Sequence, residues 1–217
     1  MPVPHTSHSD PEGQVRTTVL LLPAFKYIDN VTPDSVPDLI QSCIDTAPTN
    51  TTPLGQESAS SSEGDTIPKS LPSGLHMRNC PHQYLILLCS HATRDARCGQ
   101  SAPLLRREFE RHLRPLGLYR DLEDERPGGV GIYFINHVGG HKFSANVMIY
   151  RRAGSGRDGA APSRVPTEEA AQCMWLARVK PSDVENLVRY TVLQGKLVQP
   201  ERQLRGGFDR TTRLTSW

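Results

Sequence analysis

Two cysteines and two histidines have the residue types and the order of a metal-binding site. Cys89 and Cys98 are separated by eight residues, and His137 and His141 flank a Val-Gly-Gly tripeptide. Two thiolates and two imidazoles suit either a tetrahedral zinc ion or a cluster of iron and sulfide. From the residue types alone, both kinds of metal site remain open.

The spacing of these residues favours the iron–sulfide cluster. Structural zinc sites usually hold their cysteines two to four residues apart. A gap of eight residues is better suited to a loop around one iron of a two-iron cluster, with the histidine loop binding the other iron. Two histidines four residues apart could share one helix face, but Gly139 and Gly140 each disfavour helix by about 1 kcal/mol. We therefore expect a loop whose glycines let the backbone approach the metal closely.

The segment between the cysteines contains two positive charges and one further histidine. Arg94 and Arg97 are expected to lower the pKa of the neighbouring thiols and so to favour the metal-binding thiolate. His91 is an alternative ligand, but it has no partner at ligand spacing. Cys80 and His82 are further alternatives, and the apolar run that separates them from Cys89 is expected to place them at the opposite end of a strand.

Three segments of the chain together resemble the fungal sucrase/ferredoxin-like family. They are the cysteine segment 89–98, the histidine segment 137–142 and the segment 175–184, whose sequence is Trp-Leu-Ala-Arg-Val-Lys-Pro-Ser-Asp-Val. The resemblance extends from about residue 80 to the C-terminus, and the paired motifs in this order are specific. The first third of the chain lies outside the resemblance.

The resemblance implies a thioredoxin-like 2Fe–2S ferredoxin in which two histidines replace two of the usual four cysteines. Carried over by position, Cys89 and Cys98 would bind one iron, and His137 and His141 would bind the other. No ligand position of the motif is missing from this sequence.

Hydrophobic patterning predicts strands and helices along the chain, including an N-terminal strand and helix. The resemblance implies that they form an α/β fold, in which a central mixed sheet is flanked by helices. Both ligand loops are expected to leave the ends of parallel strands, where open α/β sheets usually bind ligands. Helices are predicted to begin at Pro33, Pro103 and Pro181. The residues predicted to form the buried face are Val36, Leu39, Ile40, Cys43 and Ile44 in the first helix and Leu105, Phe109, Leu113 and Leu116 in the second. The predicted strands are 15–22, 84–88, 130–135, 146–150 and 173–179.

Composition divides the chain into three parts. Residues 1–47 are predicted to form the N-terminal extension, in which Cys43 lies on the apolar face of the helix. Residues 48–75 are rich in Ser, Thr, Pro and Gly and are predicted to be a disordered linker. Residues 76–217 are assigned to the thioredoxin-like ferredoxin domain.

Charge and cysteine content limit the partners and the compartment. A formal charge of +2 provides no electrostatic footprint for nucleic acid, and no apolar run is long enough to span a bilayer, so a soluble protein is expected. Five cysteines without a signal peptide favour a reducing compartment. Residues 1–15 contain no Lys or Arg, unlike a mitochondrial transit peptide. Cytosol is therefore expected, with a mitochondrial pool as the alternative.

The predicted function is one-electron transfer in redox or iron–sulfur homeostasis, because no acid/base pair or nucleophile triad is recognisable in the sequence. The alternatives are a zinc-stabilised structural or interaction domain and a thiol–disulfide oxidoreductase that uses Cys89 and Cys98. A flavin reductase is a candidate redox partner. The terminal Trp217 is similar to C-terminal peptides that the cytosolic iron–sulfur assembly machinery recognises in some client proteins, and the alternative is a packed or frayed tryptophan without this role.

Overall fold

A computed structural model describes residues 15–54, 71–137, 143–154 and 168–216. Within these ranges the strands form a three-stranded sheet, β1-β2-β3, and a seven-stranded sheet, β10-β9-β8-β7-β4-β6-β5. The strands of the smaller sheet are β1 (Thr17–Leu21), β2 (Lys26–Val31) and β3 (His76–Asn79). The strands of the larger sheet are β4 (Tyr84–Cys89), β5 (Tyr119–Arg120), β6 (Val130–Ile135), β7 (Val147–Arg152), β8 (Ala170–Leu176), β9 (Leu204–Asp209) and β10 (Leu214–Ser216).

The longest helix, α2 (Ala96–Leu113), follows the loop that begins after Cys89, and the other helical segments are short. None of the helices in the described ranges is both long and apolar enough to cross a membrane. The α-helices are α1 (Val36–Leu39), α2 (Ala96–Leu113), α3 (Val184–Asn186) and α4 (Pro200–Gln203). A 3₁₀ turn precedes α1 (Pro33–Ser35) and α3 (Pro181–Asp183), and a π-helical turn follows each (Ile40–Ile44 and Leu187–Val192).

The seven-stranded sheet is mixed, which confirms the predicted α/β class. Strands β4, β5 and β6 are parallel, whereas the pairs from β4 through β7, β8 and β9 to β10 are antiparallel. Strand β4 is buried along its whole length, and Cys89 at its end pairs in register with Ile135 at the end of β6. The loops that follow β4 and β6 therefore begin side by side at one edge of the sheet.

The two faces of this sheet are covered by different parts of the chain. Ile86 on one face packs with Phe109 of α2 and with the helical segment after β8. Leu85 on the other face packs with Phe25 and Tyr27, which come from the N-terminal region. Because successive residues of a strand point to opposite faces, one apolar strand contributes to both cores. The N-terminal strands are thus packed directly against the central sheet.

Helix α2 begins earlier than the sequence predicts. It starts at Ala96 and not at Pro103, which lies inside the helix. The start is set by Asp95, whose side chain accepts a hydrogen bond from the backbone N–H of Arg97 at 3.0 Å. Aspartate is a strong N-cap residue, and this cap decides the boundary. Three of the predicted core residues of this helix are buried: Leu105, Phe109 and Leu113. The fourth, Leu116, lies beyond the end of the helix and is exposed.

The strand and the helix predicted for residues 1–47 are present, but β2 lies between them and was not predicted, and not every predicted residue is buried. β1 lies within the predicted strand 15–22, and Thr32 caps the predicted helix through reciprocal hydrogen bonds with Ser35. Leu39 and Cys43 are buried as expected. The 3₁₀ and π-helical turns change the number of residues per turn, so a helical spacing of 3.6 does not hold through the segment. Three residues predicted for the same face are consequently exposed: Val36, Ile40 and Ile44.

The predicted linker, residues 48–75, lies largely outside the described residues. At its described ends, Leu75 is buried in the core of the N-terminal sheet, and the Thr52 carbonyl oxygen accepts a hydrogen bond of 2.7 Å from Arg210. The predicted strands 146–150 and 173–179 correspond to β7 and β8, and β8 begins three residues earlier than predicted, at Ala170.

Candidate metal centre

Three of the four predicted ligands lie together at the carboxyl ends of β4 and β6. Cys89 is the last residue of β4, Cys98 lies in the first turn of α2, and His137 follows β6 by two residues. The His137 Nδ1 atom is 3.5 Å from the Cys89 Sγ atom and 4.0 Å from the Cys98 Sγ atom. One ligand atom from each residue lies within 4.8 Å of the other two. His141 falls in the segment 138–142, outside the described residues.

Backbone hydrogen bonds fix Cys89 at the end of its strand. Its N–H group donates to the carbonyl oxygen of Asn146 at 3.0 Å, and the N–H of Ser90 donates to Ile135 at 3.0 Å. Both thiols are buried. The first cysteine is therefore positioned by sheet hydrogen bonds and not by a mobile loop.

Cys98 is positioned by the start of helix α2. The carbonyl oxygen of Asp95, the N-cap residue, accepts a hydrogen bond of 3.0 Å from the Cys98 N–H. The beginning of a helix carries a partial positive charge, which favours negative charge at this position. The helix thus brings the second cysteine to the strand end and provides an electrostatic setting suited to a metal-bound thiolate.

The electrostatic expectation for the first cysteine is wrong. Burial, together with the neighbouring Cys98 thiol, raises the pKa of Cys89 to about 11. The guanidinium of Arg97 does not offset this effect, because it is ion-paired with Asp95 at 2.9 Å. A bound metal cation lowers the pKa of a thiol that coordinates it. A metal at this site would therefore hold Cys89 as thiolate where the side chains around it do not.

The alternative ligands named from the sequence do not join this cluster. Cys80 and His82 precede the first residue of β4, at the end of the strand opposite Cys89, as predicted. His82 packs closely against Gly131. Although His91 is only two residues from Cys89, the described ranges contain one group of three neighbouring ligand atoms, and His91 does not belong to it.

Asn146 is a residue of the site that the sequence analysis does not single out. It is buried, its carbonyl oxygen accepts the hydrogen bond from Cys89, and its side-chain amide donates to the carbonyl oxygen of Phe143 at 3.1 Å. Asn146 thus ties the end of β4 to the residue that follows segment 138–142. The sequence offers one signal for Asn146, which is its position directly before an apolar strand. An asparagine there is expected to be buried, and a buried amide requires hydrogen-bond partners.

The fold and the site define an α/β protein in which two buried cysteines and one half-buried histidine form a cluster suited to binding a soft or borderline metal. The chain belongs to the sucrase/ferredoxin-like family, whose sequence model matches residues 2–206. It is 44% identical over 108 residues to actin patches distal protein 1 of Saccharomyces cerevisiae, which covers 50% of this chain and 29% of that protein.

Two further relatives are both named altered inheritance of mitochondria protein 32. The protein of Clavispora lusitaniae is 31% identical over 118 residues, which covers 54% of this chain and 33% of the relative. The protein of Meyerozyma guilliermondii is 32% identical over 115 residues, which covers 53% of this chain and 32% of the relative. The matched regions therefore span about a third of the length of these curated relatives.

Proposed function

We propose that this protein is a one-electron carrier whose 2Fe–2S cluster is bound by Cys89, Cys98, His137 and His141, and that it acts in redox or iron–sulfur homeostasis. The proposal rests on one observation: two buried thiols and one imidazole nitrogen converge at the carboxyl edge of a parallel strand pair. The fourth ligand is expected from the loop that leaves His137. The donor set fits a 2Fe–2S cluster with two sulfur and two nitrogen ligands.

Formal charge accounts for the kind of redox chemistry that this ligand set supports. Two ferric ions, two sulfides, two thiolates and two neutral imidazoles sum to zero, whereas four thiolates would give minus two. Adding an electron to a neutral centre is easier than adding one to a dianion. When bound, such a cluster supplies one-electron transfer at roughly −150 to +300 mV, well above the roughly −400 mV of plant-type ferredoxins.

The chain itself contributes position and exclusion of water. The backbone of β4 and the start of α2 hold Cys89 and Cys98 on rigid elements, and Asn146 joins the strand end to the end of the histidine loop. Burial of both thiols keeps solvent from the sulfur atoms, which limits their oxidation and hydrolysis of the metal–sulfur bonds.

A dithiol enzyme is disfavoured by the same geometry. The Cys89 and Cys98 sulfur atoms are close enough to interact, but both residues are buried and the pKa of Cys89 is about 11. The thiolate is the nucleophile in thiol–disulfide exchange, so a buried thiol with a raised pKa reacts slowly. Zinc would use the same donors, and the spacing of eight residues between the cysteines is what favours the cluster over zinc.

Metal and sulfide analysis separates these functions. We expect protein purified without oxygen to contain two iron atoms and two acid-labile sulfides per chain, with visible absorption bands that bleach on addition of dithionite. A colourless protein with one zinc ion per chain would assign the site to structural zinc. Full thiol–disulfide exchange activity after metal removal would assign it to a dithiol enzyme.

Partners and compartment extend the proposal. We propose that the carrier works in the cytosol with a redox partner such as a flavin reductase, and that Trp217 helps the cytosolic iron–sulfur assembly machinery to load the cluster. The names of the relatives refer to mitochondrial inheritance and actin patches, processes that a cytosolic electron carrier could serve. Trp217 itself lies outside the described residues.

Deletion of Trp217 provides the test of cluster loading. We expect lower iron occupancy of the variant in cells but normal occupancy after chemical reconstitution, because the ligands are untouched. A Thr215→Ala variant that keeps the terminal tryptophan is the matched control. Equal occupancy of the deletion variant and the parent protein in cells would reject this role.

A further inference from the structure

A basic and aromatic surface surrounds the side chain of Phe143. Phe143 is the first described residue after segment 138–142, and two exposed arginines contact its ring. The guanidinium carbon of Arg205 is 3.3 Å from the ring centroid, and that of Arg178 is 5.0 Å from it. The two arginines come from the start of β9 and from the turn after β8, so three separate parts of the chain meet at this ring.

This surface is connected to the candidate metal centre by hydrogen bonds. The N–H of Arg178 donates to the carbonyl oxygen of Ser144 at 2.8 Å. Asn146 bonds through its side chain to Phe143 and through its carbonyl oxygen to Cys89. A molecule bound at Phe143 would therefore lie beside the loop ends that hold the ligands.

The charge of this surface comes from Arg178 and Arg205, and Lys180 lies two residues beyond Arg178 in the chain. In the part of the chain that the structure describes, no carboxylate forms an ion pair with Arg178, Lys180 or Arg205. The closest acidic residue in sequence, Asp183, accepts hydrogen bonds from the Lys180 N–H and from the side chain of Gln203. Stacking on an aromatic ring also orders the guanidinium groups, which lowers the entropy lost when a partner binds.

At the opposite end of the central sheet, carboxylates are intermixed with the arginines Arg78, Arg120 and Arg126. The segment that precedes β6 contains Asp121, Glu123, Asp124 and Glu125. Only Asp124 and Glu125 form ion pairs in the described residues, with Arg126 and Arg78. Charges of both signs alternate there, so this end offers a charged partner no field of a single sign.

We infer that the rim formed by Phe143, Arg178 and Arg205 docks a redox partner protein with an acidic surface, so that electrons enter or leave the centre at this edge. The inference rests on the proposed electron-carrier function. It adds the site of exchange and the charge of the partner, which the ligand geometry alone does not give.

The sign of the field at this rim can be measured with small oxidants of opposite charge. One electron passes from the dithionite-reduced, cluster-loaded protein to hexacyanoferrate(III), which is anionic, or to tris(phenanthroline)cobalt(III), which is cationic. We expect the rate constant for the anion to fall with ionic strength and that for the cation to rise. The double variant Arg178→Glu/Arg205→Glu should slow the anion about tenfold at low salt and accelerate the cation.

The matched control changes the net charge equally but far from the rim. Arg111→Glu/Arg126→Glu alters two exposed arginines, of which Arg111 lies thirteen residues along α2 from Cys98, or about 20 Å along the helix. Rates for this control should stay within about twofold of the parent protein. Equal effects of the two double variants, or salt-independent rates with both oxidants, would overturn the docking surface while the visible spectrum still confirms a cluster.

A binding measurement keeps the test independent of redox chemistry. We expect a fluorescein-labelled poly-glutamate peptide to bind the parent protein and the Arg111→Glu/Arg126→Glu control at low salt, and to lose most of its anisotropy change with Arg178→Glu/Arg205→Glu. Binding that both double variants weaken equally would contradict a localised surface. A colourless protein that still binds the peptide at this rim would overturn the electron-carrier function and, with it, the role of the rim in electron exchange.

Discussion

The two ends of strand β4 carry the same residue types but place them in different surroundings. At the carboxyl end, Cys89 meets Cys98 from a helix and His137 from the loop after β6, and their ligand atoms converge. At the amino end, Cys80 and His82 are also buried, yet their ligand atoms do not form such a group in the described ranges. Residue type and burial therefore do not define the site.

The amino end shows what buried cysteine and histidine do when no metal site is formed. The hydroxyl groups of Tyr27 and Tyr133 share a buried hydrogen bond of 2.6 Å beside Cys80. Burial lowers the pKa of His82 to about 4, so its ring is neutral at physiological pH, and the ring packs on Gly131. These side chains join the N-terminal sheet to the central sheet. The candidate centre therefore differs from the amino end because separate loops converge there, and the order of the strands in the sheet brings those loops together.

The largest expected effect comes from the cysteines of the carboxyl end. Cys89→Ser or Cys98→Ser should abolish the stable cluster, because each removes a soft thiolate from the iron that it anchors. The visible spectrum and the iron content of the purified variants provide the measurement. Cys80→Ser is the matched control at the other end of β4 and should retain both. A coloured Cys89→Ser protein with unchanged iron content would show that Cys89 is not a ligand of the cluster.

A smaller effect is expected when a histidine ligand becomes a cysteine. His137→Cys and His141→Cys should each keep a cluster but lower its midpoint potential, on the order of 100 mV, because a thiolate adds negative charge to the centre. The potential is measured by dithionite titration. His82→Gln, at the amino end, should leave it unchanged. If a histidine variant keeps the parent potential, that residue is not a ligand and His91 becomes the candidate.

The amino end should respond in stability and not in metal binding. A methyl group added at Gly131 would lie 2.5 Å from the His82 Cδ2 atom and 3.0 Å from the Tyr133 Cε2 atom. We expect Gly131→Ala to lower the free energy of unfolding by about 1–3 kcal/mol, with an unchanged visible spectrum. Urea denaturation measures the loss. The same substitution in a His82→Ala background should cost much less, and an equal cost in both backgrounds would show that the ring is not the cause.

The smallest expected effect concerns pH and the N-terminal sheet. Burial acts to raise the pKa of Asp29, but hydrogen bonds from Arg78 and Thr18 outweigh it and lower the pKa below 3.8. The ionised carboxylate therefore stabilises the fold above about pH 4, and this contribution is lost as pH falls through the folded-state pKa. Denaturation between pH 3 and pH 6 should show a steeper acid loss for the parent protein than for Asp29→Asn. An equal loss of stability with falling pH in the two proteins would show that ionisation of Asp29 does not stabilise the fold.

Local patterns in the sequence are sufficient to predict the two strands that lead to Cys89 and His137, but not the start of the helix that carries Cys98. Strands β4 and β6 are continuous apolar runs, so their burial and their parallel pairing could be expected from the sequence. The start of α2 was misplaced because Pro103 resembles a first helical residue, whereas the effective signal was the aspartate cap at Asp95. The predicted position of His141 stays a prediction, because it falls outside the described residues.

Contacts between distant parts of the chain could not be predicted in this way. Strand β2 has the sequence Lys-Tyr-Ile-Asp-Asn-Val, whose polar residues hide its role, and its Tyr27 is buried against residues more than 50 positions away. Strand β9 contains two glycines, which usually argue against a strand. At Gly207 an added Cβ would lie 2.1 Å from the Cys173 carbonyl oxygen, so the glycine is required by close approach to β8. Such requirements are visible only once the strands are paired.

The proposed 2Fe–2S cluster has two cysteine and two histidine ligands. Pulsed electron paramagnetic resonance of the dithionite-reduced protein, labelled with ¹⁵N only in histidine, tests this ligand set most directly. We expect a one-electron paramagnetic signal with two coupled ¹⁵N nuclei, one of which disappears in His137→Cys. A signal without histidine coupling would contradict the two histidine ligands, and the absence of any signal from a zinc-containing protein would contradict the cluster itself.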